Sequence, residues 1–338
     1  MGKVDRRLTL VACLIVLAAW PFFADYTPFY TPFATEILIF SLFAISYNLS
    51  LGYTGMFSFG HAAFLGVGGY TTGLVMIYLN LGVELSLLIG LGAGLLTGLI
   101  MGPICLRRTG IYFAMISLAL SQVFFYIAQM WDSVTGGHDG LGGIPRLRLL
   151  IGVELTNNSM AVYWFVLAIV LVSVFVLWRV VNSSFGRVLQ AIRENEERAR
   201  TCGYNTQRIK LTSFVISGTF SGLAGGLLLV YMEFFGIESL HWFMSGTVLI
   251  MALFGGTRTF LGPAVGAMIF LLMKDTLSRN FEYWQMVTGL FFVIIVLLLP
   301  LGILGSLIAS IKTLAAKRSG APLAVHKNPG RGAKGQAE

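Results

Sequence analysis

The sequence predicts an all-α, polytopic integral membrane protein with roughly 8–10 transmembrane segments, some of them broken or re-entrant. Three observations predict it. The 338 residues are 56% hydrophobic and only 11% charged, whereas soluble domains carry about a quarter charged residues. Mean hydropathy is +0.81, and the apolar residues come in runs long enough to cross a bilayer, which takes about 20 helical residues. Many of the 40 glycines fall within those runs, as they do where membrane helices pack closely.

The first run, 8–24, follows a basic start and imitates a secretion signal. Pro21, Phe22 and Phe23 stand before Ala24, where cleavage needs small residues, so the run reads as an uncleaved first span. Further runs follow at 34–51, 56–79, 84–105, 110–131, 160–180, 209–233 and 283–306. The region 244–274 is interrupted by Gly255, Gly256, Arg258 and Pro263 and reads as two short segments or a re-entrant pair. Non-helical backbone at membrane depth needs protein or a water-filled cavity around it, so this region is expected to line a path. The glycine-rich stretch TGGHDGLGGIP places a long loop at 132–159. The chain divides into a transmembrane domain over 1–316, with a polar loop at 182–210, and a basic tail over 317–338 whose composition predicts disorder.

Charge orients the spans. Lys3, Arg6 and Arg7, then Arg107 and Arg108, then the arginines of 182–210, fall on one side when the runs alternate. Basic residues gather on the cytoplasmic side. The basic tail joins them if 244–274 contributes an even number of crossings, which places both termini in the cytoplasm. The net charge of +8 is then a membrane asymmetry. The lipid bilayer is the expected partner, and nucleic acid is not.

Several chemistries find no support. Cys13, Cys105 and Cys202 lack the spacing of a disulfide framework or a metal site, so no metal is expected. Ion-coupled transporters carry ionisable residues within their spans. Here Glu36, Glu84, Asp132 and Glu233 sit near span ends, and His61 stands alone inside one. The tail sequence GRGAKGQ has half a phosphate loop, but Gln336 stands where lysine is needed. The pattern is that of a conduit whose energy comes from elsewhere, with no catalytic residues and no cofactor bound by this chain.

Glycine marks two kinds of surface. Gly90, Gly94, Gly98 and Gly102 recur every four residues, which makes one close-packing helix face. Between Gly52 and Gly73 the glycines have no single helical period and are mixed with hydroxyls. This stretch, with the break at 244–274, nominates Gly52, Gly55, Ser58, Gly60, His61, Gly255 and Gly256 as translocation-pathway candidates. A hydrogen-bonded packing role is the plainer reading of His61.

The segment GRVLQAIRENEERARTCGYN, 186–205, has seven charged residues in twenty. Arg187 to Arg193 predicts one helical piece. Asn195 is a good N-cap, Glu196 and Glu197 suit the positive end of a helix dipole, and Gly203 suits a left-handed C-terminal cap. A short capped helix over 196–202 follows, lying between two spans.

Within this segment Glu197, Ala199 and Gly203 match the first, third and seventh positions of the E-A-A-x-x-x-G loop of ABC importer permeases. Arg198 replaces the middle alanine. The blocks Ser46–Val75, Ala191–Leu228 and Leu253–Ala267 together resemble the permease subunits of branched-chain amino-acid ABC importers. Length and the ENE…GYN loop favour the LivM type. The resemblance implies a pathway formed with a homologous second permease and two cytoplasmic ATPase subunits that use ATP. It also implies a periplasmic binding protein that delivers leucine, isoleucine or valine, and a place in the bacterial inner membrane. It assigns ATPase coupling to Glu197, Ala199 and Gly203, with Arg193 and Glu194 beside them. Related systems carry urea, short amides or aromatic acids, and a stand-alone passive channel is the other alternative.

Overall fold

The computed structural model describes residues 31–144, 159–280, 282–298 and 302–303. The expected first span at 8–24 and the basic tail over 317–338 lie outside the described residues. Besides a four-residue helical turn, Asp132–Thr135, and a 3-10 turn, Gly137–Asp139, within the expected loop, the helices are α1 (Thr31–Asn48), α2 (His61–Leu79), α3 (Val83–Cys105), α4 (Ile111–Met130) and α5 (Ser159–Val181). They continue with α6 (Ser184–Glu194), α7 (Glu196–Thr201), α8 (Thr206–Met232), α9 (Trp242–Gly255), α10 (Gly262–Asn280) and α11 (Trp284–Leu298). Six helical stretches are long and apolar enough to cross a membrane, as a multi-pass membrane protein requires. Among the described residues there is no named strand, only an isolated bridge between Leu141 and Phe235.

α8 is the central helix, packed on by α1, α2 and α3. The predicted glycine face of α3 is what brings it close. A Cβ at Gly94 would lie 2.8 Å from the Gly218 carbonyl, and one at Gly98 would lie 3.0 Å from the Val215 Cα. Without the hydrophobic effect between lipid-immersed helices, such contact is gained by packing backbones together. α1 runs antiparallel to α8 along a ladder of small hydroxyls. Ser46 Oγ meets Ser221 Oγ at 2.9 Å, Ser217 donates to the Ser46 carbonyl at 2.6 Å, and Thr54 Oγ1 meets Ser213 Oγ at 2.8 Å.

The irregular glycines of α2 have a packing cause. Gly68 meets Gly222 of α8, whereas Gly66 and Gly69 meet Leu240 and Phe235 on another side. Two neighbours on two faces leave no single helical period. The second neighbour is a segment the runs did not reveal. After α8 the chain folds back along α2 through Phe235 and a 3-10 turn, Ile237–Leu240, before α9 begins. Its backbone is satisfied by the Leu141–Phe235 pair, at 2.9 and 3.0 Å, so non-helical chain is tolerated there. This is why α9 is short: Ser245 in its first turns accepts from the Ala62 N–H at the start of α2.

The interrupted region 244–274 is two antiparallel helices. Gly266 of α10 lies against the Met251 carbonyl of α9, and Gly255 lies against Gly262. The connecting turn, 256–261, opens on Gly256 at φ 100°. α11 then returns, and Gly302 packs beside Gly256. Outer faces of α4 and α5 leave Ile111, Met115, Met130, Val172 and Phe175 exposed, as lipid permits because its tails are equally apolar.

Candidate functional site

The polar loop forms as its residues dictate. α6 is amphipathic: Gly186, Leu189 and Ile192 are buried while Arg187 and Glu194 are exposed. Asn195 ends it and caps α7, its side chain accepting from the Arg198 N–H at 2.9 Å. α7 closes in a Schellman arrangement. The Tyr204 N–H reaches the Ala199 carbonyl at 3.3 Å and the Gly203 N–H reaches Arg200 at 2.9 Å, with Gly203 at φ 88°. Ala199 is buried, so it seats the helix on the bundle. Glu197, Arg198 and Gly203 are exposed on the other side.

One pair fastens this helix to α8. Lys210 Nζ donates to the Glu196 carboxylate, and Arg200 lies 3.7 Å from the same group. Burial alone raises the Glu196 carboxyl, but the Lys210 hydrogen bond and charge, with Thr206 and Arg200, outweigh it and hold the group below its ordinary value. A depressed carboxyl stabilises the fold above its unfolded pKa of about 4.3, and that stability is lost as pH falls through the folded value. Protection factors over 196–206, taken relative to the intrinsic exchange rate at each pH, are therefore expected to fall in acid. Lys210→Met should produce the loosening at neutral pH, at a cost of about 1–3 kcal/mol. Unchanged exchange in that variant would show that the pair does not hold the helix.

A polar cleft of about 560 Å³ opens beside α7. It is lined by Gly55 from the α1–α2 link, Arg107 and Arg108 from the α3–α4 turn, and Arg193, Glu194 and Glu197 from the loop. Three regions distant in sequence thus share one concave surface. The docking candidates Arg193, Glu194 and Glu197 meet there, while Gly203 lies at the far end of α7.

Behind the cleft lies the end of α1. Its last turn is π-helical, Leu49–Tyr53, and wider than an α turn. Thr54 Oγ1 lies 2.9 Å from the Leu49 carbonyl, and the Arg193 guanidinium donates to the Gly52 carbonyl. Gly52 in turn lies against the Thr257 carbonyl, and Asn48 Nδ2 donates to the Thr259 carbonyl at 3.3 Å. The pathway candidates Gly52, Gly255 and Gly256 are buried in this one region.

Ser58, Gly60 and His61 form a second group. His61 Nε2 lies 2.9 Å from Ser217 Oγ, and its ring packs edge-on with Tyr47 and Phe64 at 4.6 and 5.3 Å. Ser58 Oγ accepts from the Gly60 N–H at 3.1 Å, and Tyr47 OH donates to the Ser58 carbonyl at 3.0 Å. These contacts bury His61 among hydroxyl and aromatic groups of the bundle, with Nε2 partnered and Nδ1 not.

The profile of the family described as branched-chain amino acid transport system / permease component matches residues 29–298. The chain belongs to that family. Among relatives of this permease is the high-affinity branched-chain amino acid transport system permease protein LivM of Salmonella typhimurium. It is 27% identical over 328 residues, covering 90% of this chain and 76% of the relative. LivM of Escherichia coli K12 is 28% identical over the same shares of each chain. LivH of Salmonella typhimurium is 26% identical, covering 79% of this chain and 91% of the relative. These two LivM relatives align over more of the permease than this LivH does, and the permease is of the LivM type. No solved structure matches it.

Sequence reasoning missed the parts of this permease's site that come from afar. Lys210 falls unremarked at the start of the run 209–233, and Arg107 and Arg108 read as topology signals. The hairpin tip carries no mark of its approach to Gly52. Only the pathway assignment of Gly52, Gly255 and Gly256 hinted that these stretches belong together.

Proposed function

We propose that this permease forms, with a homologous second permease, the inner-membrane pathway of an ABC importer for leucine, isoleucine and valine. The observation that carries the reading is the alignment of relatives named for branched-chain amino acid transport over 90% of the chain. Two cytoplasmic ATPases drive it, one of them docking on the exposed face of α7 of this chain, and a periplasmic binding protein delivers the substrate. Glu197, Gly203 and the cleft carboxylate Glu194 face the ATPase. Both termini lie on that cytoplasmic side, where Arg107, Arg108, Arg193, Arg198, Arg200 and Arg208 also gather, as the positive-inside rule requires. The chain binds no cofactor; ATP is used by the partners.

The test is reconstitution of both permeases, the ATPases from neighbouring genes and the binding protein in proteoliposomes. Leucine uptake is expected only with ATP and binding protein together. Uptake by this chain alone without ATP would make it a passive channel. A binding protein that takes urea or an amide and ignores leucine would overturn the substrate.

A further inference from the structure

We propose that Arg193 is a positioning residue that transmits motion of the docking loop to the α9–α10 hairpin through the π turn of α1. This rests on the importer reading above. The sequence groups Arg193 with the docking residues, but its guanidinium goes elsewhere. It donates to the carbonyl of Gly52. The carbonyls of a helix's last turn have no partner within the helix, so Arg193 supplies from the loop what α1 lacks.

The contact is built at both ends. Gly55 lets the chain cross the Arg193 side chain: a Cβ there would stand 3.2 Å from Arg193 Cγ. On the other side of Gly52, the Thr257 carbonyl sits where a side chain would be. Asn48, one turn earlier on α1, holds Thr259 of the same hairpin turn at 3.3 Å. A movement of α6 is therefore passed to Gly52 by a charged hydrogen bond and from Gly52 to the hairpin tip by backbone contact. The π turn suits this place because its wider winding is a local departure from the helix, a feature found often at functional sites. Arg258 on the hairpin adds a second sign of proximity. Burial first, and then the like charge of Arg258, lower the Arg193 pKa, while Glu194 opposes them.

The experiment uses the full complex of both permeases, ATPases and binding protein, with leucine as the probe. Arg193→Ala should retain the ATPases on co-purification. The stimulation of ATP hydrolysis by leucine-loaded binding protein should fall about tenfold, within the usual range of coupling energies, and uptake with it. Arg193→Lys should restore part of the stimulation, since lysine still donates one hydrogen bond. Gly52→Ala, which intrudes on Thr257 from the other side, should uncouple in the same way. Should Arg193→Ala not fold, Arg193→Gln and Arg193→Lys carry the same comparison. Wild-type stimulation in the alanine variant overturns the proposal. Loss of the ATPases from it overturns the proposal as well, by returning Arg193 to the docking surface. An equal fall in stimulated and unstimulated hydrolysis does the same, since it marks a purely structural role. Leucine uptake by the wild type without ATP is a different failure: it removes the importer reading itself.

Discussion

Gly225→Leu is expected to leave no folded permease. At Gly225, α8 crosses α2 so closely that a Cβ would lie 2.7 Å from the Leu65 carbonyl carbon and 3.1 Å from the Gly69 nitrogen. Both are backbone atoms, which cannot turn aside as a side chain can. Overpacking a core costs about 1–3 kcal/mol where side chains adjust. Here two helices must separate, and α8 is the helix that α1 and α3 also share. A loss of about 3 kcal/mol or more is a large part of the 5–15 kcal/mol that holds a typical fold. Size-exclusion profile and thermal unfolding in detergent are the readouts. Gly225→Ala should already lower the melting temperature. Gly92→Ala is the control: nothing stands within 4 Å of its Cβ, and alanine favours helix over glycine by about 1 kcal/mol. Should the two alanine variants melt alike, backbone contact at Gly225 is not what holds α8 to α2.

The second large effect is loss of the ATPases on Gly203→Asp, with the permease itself intact. Gly203 stands at φ 88° with open space around it, so a side chain there does not meet its own chain and would stand where the proposed ATPase docks. Aspartate enters the left-handed region more readily than most residues, whose cost there is about 1–2 kcal/mol. The permease should therefore elute and melt much as the wild type does. Carboxylate at the end of α7 also opposes the helix dipole. Truncating or blocking the centre of an interface commonly costs 2 kcal/mol or more, which is about 30-fold in affinity. Co-purification of the ATPases is the readout, and Glu197→Lys tests the same face by reversing a charge. ATPases that remain bound to both variants would remove α7 from the interface.

The predicted cap residues needed nothing from outside the loop, and they stand where the sequence places them. Asn195 accepts from Arg198, and Gly203 closes the Schellman turn. Those bonds join residues a few positions apart, so residue type and order are enough to specify them. The same holds for the glycine face of α3, because a period of four is a property of one helix. His61 shows the limit of such reasoning. Its partners Ser217 and Phe214 are more than 150 positions away on α8, and nothing near His61 names them. The return of the chain through Phe235 to Leu240 is similar. Its residues resemble an ordinary loop, and only the grooves at Gly66 and Gly69 give them a place inside.

By itself the sequence determined that this protein is a helical, multi-span membrane protein with a polar, capped loop, because hydropathy and capping act over one helix length or less; its resemblance to a family, not these patterns, pointed to a permease. The tertiary structure decided which glycines pack on which neighbour and why α9 is short. It also decided that Arg193, Gly52 and the α9–α10 turn meet. Those outcomes depend on where α1, α6 and the hairpin cross in space. A crossing is fixed by the shapes of two surfaces together, and neither segment carries the other's shape in its own order of residues.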